Sequence, residues 1–168
     1  MLLKSKDIAY LGVLLGLNLL FIILSSVIET NTIILMAAAA LMIGIVIVEF
    51  GSKSGSIFYI ASCMLGFFLT FNKVEIITYI LFFGLYSLIK HAIEFKITNK
   101  ILALLLKFIF FNISLLCLYF AINQFITLKL FWWMILGAEV LFLIYDYAFT
   151  IFINYYINNI RPKLTKTK

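Results

Sequence analysis

Long runs without a charged residue, separated by short polar breaks, organise this chain. No charged residue occurs from Ile8 to Ile28 or from Thr30 to Val48, and further apolar runs follow. A helix needs about 20 mainly apolar residues to cross a hydrocarbon core about 30 Å thick. This length predicts six transmembrane helices, at approximately 8–28, 31–49, 55–71, 74–92, 100–122 and 130–157.

The apolar runs are typical of helices rather than strands. Residues 101–106 are apolar at every position, whereas a strand of a membrane barrel would alternate apolar and polar residues. A cleaved signal peptide is the alternative for the first run, since Lys4 and Lys6 precede it. We favour a membrane helix because the run from Ile8 to Ile28 exceeds the apolar region of a signal peptide. The sequence therefore predicts an all-α integral membrane protein with a single transmembrane domain, 1–168.

Composition and charge support this class and suggest an orientation. Of the residues, 65% are hydrophobic and 12% are charged, far from the balance of soluble domains. With the N-terminus inside, ten basic residues lie on the cytoplasmic side and two on the outer side, the bias expected of short cytoplasmic loops. We therefore predict that both termini are cytoplasmic and that 158–168 is a basic tail. The inner set is Lys4, Lys6, Lys53, Lys90, Lys96, Lys100, Arg161, Lys163, Lys166 and Lys168, and the outer set is Lys73 and Lys129.

Catalytic and metal-binding patterns do not occur in the sequence. Cys63 and Cys117 each lie within an apolar run, which favours small buried side chains over a disulfide or a metal knuckle. His91 has no second histidine at metal-ligand spacing. There is no GxSxG, HExxH or Walker sequence and no basic stripe with interleaved aromatic residues. We predict no enzyme activity, cofactor, metal site or nucleic-acid partner.

Charged residues inside the fifth and sixth predicted helices are candidates for function, because ionisable groups cost free energy at membrane depth. Glu139 and Asp146 are seven residues apart and so share one helix face. If the two helices form an antiparallel hairpin that turns near 125–126, Lys107 lies level with Asp146. We predict a structural ion pair between Lys107 and Asp146, which either locks the hairpin or also faces a ligand.

A second group of candidates is expected near the outer interface. Glu139 has no cation opposite it in the fifth helix and lies below Trp133. Ligand contact, a structural hydrogen bond and exposure to lipid are the three interpretations open for Glu139. Asn112 lies at a similar depth and is a weaker candidate. Polar residues of the outer connections either rim a pocket or are simply solvated; these are Glu29, Asn31, Asn72 and Lys73.

Small residues recur at four-residue spacing in the first two helices. Gly12 and Gly16 form a GxxxG sequence preceded by Ala9, and Ala40 and Gly44 repeat the spacing. Such spacing lets helix backbones approach closely. The contact is either internal to this chain or a docking surface for another membrane protein.

With 168 residues, six helices, both ends inside and small residues in the first helix, the chain resembles the substrate-binding S components of energy-coupling-factor (ECF) transporters. The first-helix signature of that family is typically AxxxA, and the matching positions here are Gly12 and Gly16. The resemblance implies a bacterial cell-membrane protein that binds a vitamin or precursor and docks onto a transmembrane coupling protein with ATPases. It implies a ligand in the outer half, close to residues 29–32, Asn72, Lys73, Trp133 and Glu139.

The same six-helix architecture also resembles the MreD scaffold, which binds other membrane proteins and transports nothing. A scaffold would have a filled outer half, whereas an S component needs a cavity lined by convergent polar groups. Without a Walker sequence the chain cannot power transport itself. The transport hypothesis therefore requires partner subunits as well as membrane lipid.

Overall fold

The computed structural model describes residues 5–124 and 132–165. These residues are helical almost throughout, and neither range contains a strand. The bilayer core offers no water to backbone N–H and C=O groups. A helix satisfies these groups within itself, so it suits a sequence this apolar. The α-helices are α1 (Ser5–Val27), α2 (Thr32–Leu69), α3 (Lys73–Thr78), α4 (Leu85–Lys96), α5 (Lys100–Asn123), α6 (Trp132–Tyr155) and α7 (Arg161–Thr165).

Five helical stretches in the described residues are long and apolar enough to cross a membrane. Two of them combine several elements, because a π-helix over Tyr79–Gly84 joins α3 to α4 and a second one over Tyr156–Ile160 joins α6 to α7. The predicted all-α class is therefore confirmed, and the five stretches are compatible with a membrane bundle. Their bounds are Ser5–Val27, Glu29–Leu69, Lys73–Lys96, Lys100–Asn123 and Trp132–Lys163.

Helix α2 holds both the second and the third predicted helix and reverses direction at Gly51. The backbone of Gly51 has φ 83° and ψ 171°, a conformation essentially restricted to glycine. In a straight helix Ile47 and Gly55 would lie about 12 Å apart along the axis, yet a Cβ on Gly55 would overlap the Ile47 side chain. The first arm (32–50) and the second arm (52–69) therefore lie side by side. The structure gives five long helices where the sequence predicts six, and the difference lies in this element.

Polar side chains close the connections between helices. A short 3₁₀-helix over Glu29–Asn31 links α1 to α2, and Thr32 Oγ1 donates to the Ser25 carbonyl oxygen at 3.0 Å. Before α5, Asn99 Oδ1 accepts from the backbone N–H of Ile101 at 3.0 Å. Such contacts satisfy backbone groups that a helix end leaves without an intrahelical partner.

The chain divides into two compact units, Met1–Leu118 and Tyr119–Lys168. In the first unit, the core lies where α1, the two arms of α2 and the Lys73–Lys96 helix meet. Its most deeply buried large apolar side chains are Ile22, Met36, Ile43, Val46, Ile76, Tyr79 and Tyr86. The prediction of a single domain is not tested by this division.

The second unit contains the end of α5, then α6, the π-helix over Tyr156–Ile160 and α7. Part of the predicted basic tail is thus helical, as far as Thr165. Pro162 lies just after the π-helix, inside the continuous helical stretch Trp132–Lys163, so its missing N–H removes one backbone hydrogen bond from this stretch. The predicted turn at 125–126 and the outer Lys129 lie outside the described residues.

Candidate functional site

Three polar side chains meet at the centre of the first unit, and we refer to Asn18, Ser62 and Tyr79 as the Asn18 cluster. They come from α1, the second arm of α2 and the first residue of the π-helix, and each is 0% exposed. Leu14 and Ile22, four residues before and after Asn18, are also buried, so α1 turns this face inwards. Polar groups in such apolar surroundings are tolerated only when they are hydrogen-bonded.

The hydrogen bonds of the Asn18 cluster form a chain in which each side chain donates to the next. Asn18 Nδ2 donates to the Ala39 carbonyl oxygen at 2.7 Å and to the Tyr79 hydroxyl at 2.9 Å. The Ser62 hydroxyl donates to the Tyr59 carbonyl oxygen at 2.8 Å. The 3.1 Å contact between Ser62 and Tyr79 must then use the Tyr79 hydrogen, since a hydroxyl has only one. This chain of bonds ties α1, both arms of α2 and the π-helix together.

The π-helix and one glycine position the aromatic side chains around the cluster. The Tyr59 hydroxyl donates to the carbonyl oxygen of Ile80, within the π-helix, at 2.8 Å. A Cβ on Gly84 would lie 2.8 Å from Tyr59 Cε2 and 3.2 Å from Tyr79 Cζ, so glycine leaves the room that both rings use. Because π-helices are rare and frequently occur at functional sites, this junction is the principal candidate site of the first unit.

A group of charged side chains joins α4 to α5. The Glu94 carboxylate lies 3.1 Å from the ammonium groups of both Lys90 and Lys107. The Lys90 and Lys107 side chains are 4% and 7% exposed, whereas the Glu94 side chain is 42% exposed. Glu94 is therefore a partner of Lys107 that the sequence did not predict. The predicted pair of Lys107 with Asp146 joins residues of different units and stays a prediction.

Two of the predicted outer residues, Asn72 and Lys73, support the ends of neighbouring helices. Asn72 caps α3: its side-chain oxygen accepts from the Val74 N–H at 3.2 Å, and its amide donates to Glu75 at 2.8 Å. Lys73 donates to the carbonyl oxygens of Phe67 at 2.8 Å and Thr70 at 3.0 Å, at the end of α2. These contacts give both residues a structural role that requires no ligand.

The other predicted outer residues of the first unit lie at its surface. Glu29 and Asn31 are exposed. Asn112 is also exposed, and its amide donates to the Phe108 carbonyl oxygen one turn back in α5 at 3.0 Å. Within this unit, the predicted ligand-binding residues do not come together around the Asn18 cluster.

The remaining predicted site residues belong to α6, in the second unit. Trp133 is 60% exposed, Asp146 is 8% exposed and Glu139 is partly buried. The Thr150 hydroxyl donates to the Asp146 carbonyl oxygen at 2.8 Å. The three interpretations of Glu139 stay open.

The two small-residue sequences have different surroundings. Ala40 and Gly44 are buried within the first unit, and the Ala40 carbonyl oxygen accepts from Ser87 at 2.9 Å. Gly12 and Gly16 are exposed, as is Ala9, and no atom of the described residues lies within 4 Å of where a Cβ on either glycine would sit. The first sequence is thus used in internal packing, whereas the second faces outwards.

The sequence contains one signal for the Asn18 cluster, which lies in the first apolar run. Asn18 is an uncharged polar residue in the middle of the first apolar run, and polar residues at such depth mark functional or packing sites. Its partner Tyr79 is 61 residues away, so the pairing itself could not be obtained from local spacing.

Comparison with known proteins adds no relative: no family model, no curated protein and no solved structure matches this chain.

Proposed function

We propose that this chain is a membrane-embedded binding subunit of the S-component type. In this proposal it holds a small molecule, such as a vitamin or precursor, and docks through α1 onto a separate, ATP-driven coupling protein in a bacterial cell membrane. The observation that carries the proposal is the outward face of α1, where Gly12 and Gly16 are exposed with open space in front of them. Glycines at this spacing let a partner helix approach the backbone closely.

A scaffold that binds membrane proteins without transport is the second candidate. It is favoured by Asn72, Lys73 and Asn112, whose side chains form hydrogen bonds with backbone atoms of their own or an adjacent helix. A scaffold uses the same α1 face but requires no ligand. The two candidates therefore make the same prediction for docking and different predictions for small-molecule binding.

Docking is tested by co-purification of membrane proteins with the tagged full chain. We expect Gly12→Leu and Gly16→Leu to abolish capture of the partner, because the added side chain holds the helices apart. Val13→Leu is the matched control, since Val13 is 70% exposed on the same helix and the change adds little bulk. Capture that survives both glycine substitutions would refute docking through α1.

Ligand binding is tested by thermal unfolding of the detergent-purified chain with a panel of vitamins and their precursors. A ligand that binds only the folded state raises the unfolding midpoint as its concentration exceeds Kd. A shift with one compound supports the S-component function. No shift across the panel, together with partner capture that depends on Gly12 and Gly16, supports the scaffold.

A further inference from the structure

We propose that the side-chain oxygen of Asn18 binds a neutral hydrogen-bond donor. The donor is an O–H or N–H group, carried either by a bound water molecule or by a small uncharged ligand. The site lies at the junction of α1, the two arms of α2 and the π-helix. This inference goes beyond docking through α1. Only the case in which the donor belongs to a small ligand rests on the proposed function.

The orientation of the Asn18 amide is fixed by its neighbours. The Ala39 carbonyl oxygen, 2.7 Å away, can only accept a hydrogen bond, so the nitrogen of Asn18 must face it. The second hydrogen of that nitrogen goes to the Tyr79 hydroxyl. Exchanging the amide oxygen and nitrogen would place two acceptor oxygens in contact. Asn18 Oδ1 therefore points away from both partners.

Asn18 Oδ1 is buried and has no hydrogen-bond partner among the described residues. A buried acceptor without a partner loses the hydrogen bonds that water would give it in the unfolded chain, and this loss destabilises the fold. Thr70 Oγ1 and Glu75 Oε2 are also buried without a partner, but both lie within two residues of the exposed residues 71–73. Asn18 lies two helical turns deeper than the end of α1 and is 0% exposed, so bulk solvent does not reach it.

The surroundings of Asn18 indicate the chemistry of the donor. The Asn18 cluster consists of an amide and two hydroxyl groups, and the side chains of Ile22 and Ile76 lie against Gly66, one turn after Ser62. None of these groups carries a formal charge that would offset the desolvation of an ionic ligand. An uncharged donor meets the acceptor without that cost. A buried water molecule, which typically makes about three hydrogen bonds, and a ligand hydroxyl or amide N–H both satisfy this requirement.

The test for water uses isotopically labelled full chain in lipid bilayers and solid-state NMR. Magnetisation is transferred from water to the protein, and its arrival is compared at the Asn18 side-chain carbonyl carbon and at the Ser87 Cβ. Ser87 is the matched control because it is also buried and carries an exchangeable proton, which it donates to the Ala40 carbonyl oxygen. Faster arrival at Asn18 than at Ser87 indicates a resident water and supports the proposal.

The test for a ligand uses native mass spectrometry of the same chain, released from detergent with its bound small molecules. A retained molecule that is lost in Asn18→Leu but kept in Ser26→Ala supports a bound ligand as the donor. Ser26 is the control because its hydroxyl bonds only its own helix, at the Ile23 carbonyl oxygen. If Asn18→Leu does not fold, binding of the retained molecule is tested in Asn18→Gln, which keeps the amide but moves its oxygen.

The proposal is overturned if magnetisation from water reaches Asn18 no faster than Ser87 and no retained molecule depends on Asn18. This result is separate from partner capture, which reports on Gly12 and Gly16. Docking through α1 can therefore fail while the Asn18 site stands, and the reverse also holds.

Discussion

At the residue scale, Gly84 shows how one missing methyl group sets the geometry of the Asn18 cluster. The rings of Tyr59 and Tyr79 occupy the space where a Gly84 side chain would begin. Both hydroxyl groups are then held in place, one on Ile80 and one between Asn18 and Ser62. The polar network thus depends on a residue that makes no hydrogen bond through a side chain.

We expect Gly84→Ala to destabilise the chain by about 1–3 kcal/mol, the usual cost of overpacking a core. The measurement is the thermal unfolding midpoint in detergent. Gly137→Ala is the control, because no described atom lies within 4 Å of a Cβ there and alanine favours a helix over glycine by up to about 1 kcal/mol. Equal midpoints for the two variants would show that the rings do not rely on Gly84.

Residue-scale features divide into those that sequence can and cannot predict. The spacing of Gly12 and Gly16 and the depth of Asn18 are visible as positions in an apolar run, whereas the orientation of the two glycines is not. The partners of a buried polar side chain are not, because they depend on how distant segments meet: Asn18 binds Tyr79, and Lys107 binds Glu94 from the preceding helix. The argument that set Lys107 level with Asp146 considered only the following helix, so it did not include Glu94 as a partner.

At the element scale, α2 is governed by Gly51. The sequence predicted a break between the helices at 31–49 and 55–71, where glycines and Lys53 interrupt the apolar pattern. The structure concentrates the reversal in one residue with positive φ, and the flanking residues stay helical. The hydrophobic pattern therefore located the break between the two arms correctly. How tightly the chain turns there depends on the backbone conformation of Gly51, which composition does not reveal.

We expect Gly51→Ala to destabilise the chain by about 1–3 kcal/mol, because alanine is strained in this backbone conformation. Ser52→Ala is the matched control, since Ser52 is the exposed next residue in a helical conformation. The unfolding midpoints of both variants in detergent give the comparison. If Gly51→Ala unfolds at the same temperature as Ser52→Ala, the reversal does not require a glycine.

At the scale of the whole molecule, the number of membrane crossings depends on the two arms of α2. Six crossings follow if each arm of α2 spans the bilayer, and the N-terminus and the connection 97–99 then lie on the same side. The basic residues predict that this side is the cytoplasm. The apolar runs alone could predict the class of the fold, because backbone hydrogen bonding in lipid leaves so few alternatives.

Single cysteines in a Cys63→Ala, Cys117→Ala background test this topology. We expect a membrane-impermeant maleimide to label Asn31→Cys in intact cells, and Ser52→Cys and Thr98→Cys only after permeabilisation. All three positions are exposed, so a lack of labelling reports membrane placement. A Ser52→Cys that reacts under neither condition would place Gly51 inside the bilayer and contradict the six-crossing topology.

The reversal at Gly51 also has a consequence for how the chain is made. Because the turn is a single residue, the start of the second arm stays next to the end of the first arm as the chain leaves the ribosome. We therefore expect the two arms to enter the lipid together as a helical hairpin, so that neighbours along this part of the chain are already neighbours in the bilayer during synthesis.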